Sequence, residues 1–586
     1  MELLLTALLC VILASLVYTT FNMQLKGPIT NSIYQQEASK HKTALILIPH
    51  QDDEINLAGG TIKTMLEANL HVRVVFATTG DNVDNGIRRM NEAIAALNIL
   101  GVPSEDIIFL GYSNSFLLNA KKHQYNAEDD VIFISNKGIK ETYGLPDKPE
   151  FCFFQHGQHH LYTKANFRSD LKEVLLLYKP DLIFAVDFDR HRDHRYVSLM
   201  FEEALNTILH TPNNTYTPQV FKGFAYNGSY LGAKDYYKHY NLAGTAPATG
   251  EFLSNHDYDT DYPPYAWTDR IRFPLTKTVL ARTLNSNIIY QALRQHFSQG
   301  IIHNAKRIIN SDQVFWCRRT DSLSYQSTVT VSSGNAAPLT DFKLVDSPDI
   351  LAKKPIFTGS WIPSASDKQP WVRFNFACPQ DISQIYIYGN SDISSQILSY
   401  QITLSNGWEK KEDSLKPHSI ATSITMPAQI GITWMEVKIL AKRGTNAGIN
   451  EIEIFNKTNM PASLQFIKLM ISDTFAYDYW LDNKITQIPL EIFTHGFSSS
   501  PKINYILQEG ANCVIKEKLL TIPINCPYVV LRAELTENTK IYDQIILRRK
   551  TTIELLFFKL TQLLDMLLTR LEHIIKAKYF KWIIKE

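Results

Sequence analysis

Two short clusters of imidazole and carboxylate residues carry the chemistry in this chain. One is His50-Gln51-Asp52-Asp53-Glu54 and the other is His191-Arg192-Asp193-His194. One imidazole from each, with one carboxylate, makes a neutral-nitrogen and anionic-oxygen donor set that suits zinc with a fourth position open for water. Such an ion serves hydrolysis by acting as a Lewis acid. Taken separately, each cluster reads more readily as a solvated loop, and Asp52 and Glu54 also fit the capping of a helix N-terminus. Their joint placement favours a site.

Two strands must present these clusters. The apolar run Thr43 to Ile48 reads as a buried strand ending just before His50, and Asp181 to Val186 as a second one ending shortly before His191. In open α/β sheets, ligands bind outside the carboxyl ends of the strands. The intervening pattern fits that architecture. A helix is expected near Gly60 to Asn69, a strand through Val72, Val74 and Phe76, and a helix from Arg88 to Leu100 that Gly101 stops, with Pro103 beyond. A strand at Ile107 to Leu110, helices at Phe167 to Tyr178 and Tyr196 to Leu209, and a last helix holding Tyr290 to Phe297 complete it. The expected class is α/β, with a Rossmann-like, mostly parallel sheet across residues 40–325. Ser113 to Tyr162 is polar and irregular, either a functional loop or an insertion over the site.

The paired clusters resemble the PIG-L / LmbE-like deacetylases, whose signatures are Pro-His-Pro-Asp-Asp-Glu after the first strand and a later His-Pro-Asp-His. The resemblance spans Lys42 to Ser322 and includes Thr79-Gly80-Asp81, Arg89 with Glu92, Leu100-Gly101, Ala292-Leu293 and His296-Phe297-Ser298-Gln299. Gln51 and Arg192 replace the two prolines. The resemblance implies that His50, Asp53 and His194 bind one zinc per chain, with iron as the alternative metal. It implies that Asp52 is the general base toward the attacking water and that His191 stands beside the carbonyl oxygen. Arg89 and His296 would be substrate-binding residues. For Arg89 the alternative is an exposed helical arginine paired with Glu92, and for His296 a partly buried structural histidine. Asp193 is expected to fix an imidazole tautomer. The cluster His156, His159 and His160 has no acidic companion at ligand spacing and reads as loop.

The implied activity is zinc-dependent removal of the N-acetyl group from an acetamido sugar, an N-acetylglucosamine-type unit of a glycan or glycolipid. The rivals are a deacetylase of a small glucosamine conjugate and a non-catalytic glycan-binding surface protein.

Composition is ordinary: 586 residues, 45% hydrophobic and 20% charged, with a formal net charge of +1. That length requires several domains at roughly 150 residues each, and that charge gives no reason to expect a nucleic-acid partner. Residues 338–458 alternate as strands of a β-sandwich and resemble galactose-binding-like domains of the discoidin, or factor type C, kind. The residues behind this are Trp371-Val372-Arg373-Phe374, Ile385-Tyr386-Ile387-Tyr388-Gly389, Ser405-Asn406-Gly407 and Ile449-Asn450-Glu451-Ile452-Glu453. Residues 461–548 form a further strand-rich unit. Cys513 and Cys526 lie close enough in sequence to bridge, or to stay as two core thiols. Residues 1–25 hold an uncharged apolar stretch, Leu3 to Phe21, expected as a membrane anchor or signal peptide, with the chain membrane-anchored or secreted, extracytoplasmic, and of open orientation. Residues 551–586 form an amphipathic helix expected to lie on a membrane surface or another domain without crossing the bilayer.

Overall fold

The structure is a computed structural model and describes residues 42–81, 85–114, 128–189, 191–225, 265–276, 284–299, 308–344, 359–390, 394–458, 464–481, 486–497 and 499–583, besides a few short stretches. The apolar N-terminal segment lies for the most part outside the described residues.

Strand β1 (Thr43–Ile48) is almost wholly buried, as befits the centre of a sheet covered on both faces. It pairs in parallel with β2 (His71–Thr78) on one side and β4 (Leu182–Val186) on the other. Beyond them lie β3 (Ile107–Tyr112) and β5 (Gln219–Gly223), also parallel. Two antiparallel strands, β6 (Ile271–Pro274) and β7 (Asp312–Arg318), complete the order β3-β2-β1-β4-β5-β7-β6. The winding reverses between β1 and β4. Their carboxyl ends therefore flank the crevice where such sheets take ligands.

Helices cover this sheet: α1 (Asp53–Glu67), α2 (Gly86–Leu100), α3 (Phe151–His156), α4 (Lys164–Tyr178), α5 (Arg192–Leu209) and α6 (Ile288–Leu293). Gly101 ends α2 in the left-handed conformation at φ 98°, as its sequence position predicts. Both motif helices begin earlier than expected. α1 starts at Asp53 and not Gly60, and α5 at Arg192 and not Tyr196, so the motif residues themselves form the first helical turns. Acidic groups there suit the positive end of the helix dipole. The expected helix through Tyr290 to Phe297 shortens to α6, capped by the Asn287 side chain, and leaves His296 just beyond it.

The sandwich contains β8 (Ser327–Val331), β9 (Trp371–Gly389), β10 (Gln396–Leu404), β11 (Glu409–Asp413), β12 (Thr422–Arg443) and β13 (Ile449–Phe455). Their order is β8-β9-β12-β10-β11, with β13 also on β9. The separate strands expected at Trp371 to Phe376 and Ile385 to Tyr388 are one strand, interrupted by register shifts between Asn375 and Gln384. Trp361 is fully buried in this core, with its indole N–H on the Ser333 carbonyl at 2.8 Å. A third core, including Leu469, Leu520, Leu531 and Leu547, organises residues 464–549, and the Cys513 and Cys526 sulfurs stand 3.6 Å apart as free thiols.

The final helix, α7 (Thr552–Ile583), runs for 32 residues. No helix among the described residues is long and apolar enough to cross a membrane.

Candidate metal centre

β1 ends at Ile48, and the chain turns sharply before α1. Asp52 occupies the turn at φ 138°, a conformation costing an L-residue about 1–3 kcal/mol, so its neighbours must hold it. They do. Asp52 N–H donates to Glu54 Oε2 at 2.8 Å, and its carbonyl accepts from the backbone N–H groups of Ile55 and Asn56, each at 3.1 Å. Although Asp52 stands at the N-cap position, its side chain makes no capping bond. That leaves the carboxylate for another task.

The next residue draws the cluster together. Asp53 Oδ2 lies 3.0 Å from His50 Nδ1 and 3.2 Å from His194 Nε2, although His194 comes from the first turn of α5 beyond β4. Ligands about 2.1 Å from a tetrahedral ion stand roughly 3.4 Å apart, so this spacing is close to what an ion requires. Three carboxylate oxygens here, Asp52 Oδ1, Asp53 Oδ1 and Asp193 Oδ1, are buried without a hydrogen-bond partner. Buried polar atoms are normally paired, and these orphans fit the binding of a cation. His191 joins the group too: one ring nitrogen from each of His50, His191 and His194 lies within 4.8 Å of the others. The donor set fits zinc.

Each imidazole is oriented by a second group. His50 Nε2 lies 2.7 Å from Asp193 Oδ2, the tautomer-fixing part expected of Asp193. His194 Nδ1 lies 2.6 Å from Asp189 Oδ2. Asp189 was not singled out from sequence; its signal is a carboxylate just past the end of β4 and five residues before His194. His191 caps α5, its Nδ1 accepting from the Asp193 N–H at 3.3 Å. With Nδ1 an acceptor, the neutral ring carries its proton on Nε2.

The charges are strongly coupled. Burial works against ionisation of Asp53, but His194 and His50 outweigh it and hold its pKa well below the usual range. Burial likewise opposes protonation of His194, yet Asp189 and Asp53 raise its pKa well above the ordinary value. Asp52 behaves oppositely: burial, then the neighbouring Asp53, pushes its pKa up to about 7 against the pull of Arg89, His296 and His50. Burial and the adjacent His50 and His194 depress His191 to about 4. His191 is thus a neutral imidazole at neutral pH.

Arg89 and His296 stand behind the site. Arg89 is 7% exposed, donates to the Gln51 carbonyl at 3.0 Å and the Gly80 carbonyl at 3.2 Å, and comes within 3.8 Å of Asp52 Oδ1. It is not an exposed arginine paired with Glu92, because Glu92 instead accepts from the Ser298 backbone N–H and hydroxyl. His296 is fully buried, with Nε2 2.5 Å from Glu54 Oε1. Arg89 thus touches the backbone on both sides of the site, and His296 reaches the Asp52 turn through Glu54. Gly80, at φ 75°, makes the close approach possible, since a Cβ there would run into the Gln51 and Arg89 side chains.

The histidines read from sequence as a plain loop have acidic partners brought by the fold. His156 pairs with Glu173 at 2.9 Å, His159 with Glu150 at 2.7 Å and His160 with Asp170 at 2.8 Å.

Fold and site together define an α/β domain with a candidate metal centre at the switch point of its sheet. Residues 45–205 form a PIG-L domain, matching the family described as GlcNAc-PI de-N-acetylase. Residues 323–455 match a domain of unknown function, DUF7402. Among curated proteins, none matches the chain. Solved structures similar to parts of it include N,N'-diacetylchitobiose deacetylase from Pyrococcus horikoshii, at 15% identity over 48% of this chain and 84% of that one, TM-score 0.25. A conserved protein of Thermus thermophilus aligns at 15% identity over 47% of this chain and 93% of that one, TM-score 0.26. The lectin domain of lectinolysin, complexed with Lewis B antigen, aligns at 13% identity over 22% of this chain and 94% of that one, TM-score 0.18.

Proposed function

We propose that the chain is a zinc-dependent N-deacetylase that hydrolyses the N-acetyl group of an acetamido sugar and releases acetate. The observation that carries this reading is the convergence of His50, Asp53 and His194 beside the Asp52 carboxylate, whose buried Oδ1 accepts no hydrogen bond, within a PIG-L domain.

In this reading His50, Asp53 and His194 hold the ion. When bound, zinc supplies Lewis acidity, acidifying water and polarising the acetamide carbonyl. Asp52 takes the proton of the attacking water as general base. The new C–O bond forms at the acetyl carbon. As charge grows on the carbonyl oxygen, the neutral His191 donates to it through Nε2–H. Asp52 then returns its proton to the sugar nitrogen as the C–N bond breaks, leaving acetate and the free amine. Arg89, Glu54 and His296 keep the strained Asp52 turn in place, so their part is positioning.

The substrate class, an N-acetylglucosamine-type unit of a glycan or glycolipid, follows the family description. The β-sandwich would hold a longer glycan, with the apolar N-terminal segment anchoring the chain on the extracytoplasmic side. Purified protein incubated with a panel of acetylated glycans, with and without chelator, tests the reading. Acetate release that chelator abolishes is expected. Binding without release would instead favour a glycan-binding protein, and release confined to small glucosamine conjugates would replace the substrate class.

A further inference from the structure

Away from the crevice between β1 and β4, residues 128–163 pack over the end of β3 and against α4. There Cys152 on α3, His160 in the following loop and Asp170 on α4 each offer a ligand atom, all within 4.8 Å of one another. Cys152 and Asp170 are buried and His160 is half-buried. Asp170 Oδ1 pairs with His160 Nδ1 at 2.8 Å, while Oδ2 accepts from the Tyr112 hydroxyl at 2.7 Å. Each carboxylate oxygen retains a further lone pair, and His160 retains Nε2.

A further buried carboxylate adds negative charge to this region. Glu150, two residues before Cys152, is fully buried; its Oε1 accepts from Thr142 Oγ1 at 2.8 Å and pairs with His159 Nδ1 at 2.7 Å, while Oε2 has no partner. Among the described residues, neither Glu150 nor Asp170 has a Lys or Arg partner; their ion-pair partners are the exposed His159 and half-buried His160 imidazoles. A bound divalent ion would be the largest local charge there and would take the Cys152 sulfur as thiolate.

We propose that Cys152, His160 and Asp170 form a second metal site, for a borderline-soft divalent cation of the zinc class. Thiolate, imidazole and carboxylate together favour such an ion over magnesium or calcium. On binding, the Cys152 S–H bond breaks, its proton leaves to solvent, and the sulfur bonds to the ion; nothing is oxidised or reduced. The ion pins the insertion to α4. From there the link to the candidate catalytic centre is short: Thr142 bonds Glu150, and the next residue, Tyr143, donates to Thr79 Oγ1 at 3.0 Å, beside the Gly80 carbonyl that Arg89 holds.

Cobalt(II) loading of the full chain tests this site separately, because the centre at His50, Asp53 and His194 contains no sulfur. Wild type should bind two cobalt ions and show a sulfur-to-cobalt charge-transfer band. Cys152→Ser should lose that band and one ion; His194→Ala should lose one ion and keep the band. Should Cys152→Ser fail to fold, His160→Gln keeps the thiol and should weaken the band-linked ion at least about tenfold. No band in metal-loaded wild type, a band that survives in folded Cys152→Ser, or an unshifted titration in His160→Gln would overturn the proposal. None of these results depends on deacetylation.

Discussion

Asp189 Oδ2 lies 2.6 Å from His194 Nδ1 and thereby turns the other ring nitrogen toward Asp53. Its second oxygen accepts from the His191 N–H at 2.8 Å, so one carboxylate orients two histidines. Carboxylates behind metal-binding imidazoles contribute about 10- to 100-fold in affinity or activity. Asp189→Ala is therefore expected to weaken zinc binding by about that factor, as read by competition with a calibrated chelator. An unchanged affinity would remove Asp189 from the site.

Asp52→Asn preserves size while removing basicity. It should retain the metal and lower deacetylation by about two to four orders of magnitude, the usual range for a lost general base. Single-turnover acetate release with parallel metal analysis checks this. Near wild-type turnover would move the role elsewhere, with Glu54 first in line, although Glu54 is already committed to His296 and the Asp52 N–H.

The site strands and both motifs were legible because burial and period announce them: Thr43 to Ile48 is an apolar run and Arg88 to Leu100 has helical spacing. The misses have physical causes. α1 and α5 start early because the catalytic-type residues form their first turns, where periodicity has not begun. The acids of His156, His159 and His160 stand 17, 9 and 10 residues away, so only folding shows them. Arg89 and His296 were recognisable by motif, but their burial behind Asp52 depends on a turn that no local pattern predicts.

The sandwich is tied to the α/β sheet by charge. Arg318, on β7, pairs with Glu453 on β13 at 3.1 Å, both fully buried, and Tyr388 also donates to Glu453. Removing one member leaves the other uncompensated, costing about 3–5 kcal/mol. Glu453→Ala should lower the thermal midpoint and separate the unfolding of the two domains in calorimetry. A wild-type melting profile would show that the pair does not couple them.

Helix α7 docks through Phe558, buried against the Trp480 ring with centroids 4.8 Å apart, and through polar residues on the same side. Asp565 accepts from Leu284 N–H and Asn285 Nδ2, each at 2.8 Å, and Thr561, Gln562 and Thr569 are buried. The apolar stripe is left outward, with Leu556 67%, Leu567 49% and Leu571 54% exposed. Docking through that stripe was the alternative to a surface helix; the observed contacts use the opposite face. A free leucine face followed in sequence by Lys576, Lys578, Lys581 and Lys585 suits an anionic lipid surface. Protein lacking residues 1–22 should float with anionic vesicles, salt-sensitively, and lose this when residues 551–586 are removed. No flotation at low salt would assign the stripe to a protein partner.

The most direct test of the deacetylase reading pairs metal content with acetate release in wild type, Asp53→Ala, His194→Ala and Asp52→Asn. The first two variants should each lose one zinc per chain relative to wild type and all activity, because each removes one of three protein ligands. Asp52→Asn should keep the zinc and lose only turnover. Full zinc in both ligand variants, or acetate release by wild type that chelator leaves untouched, would contradict the account.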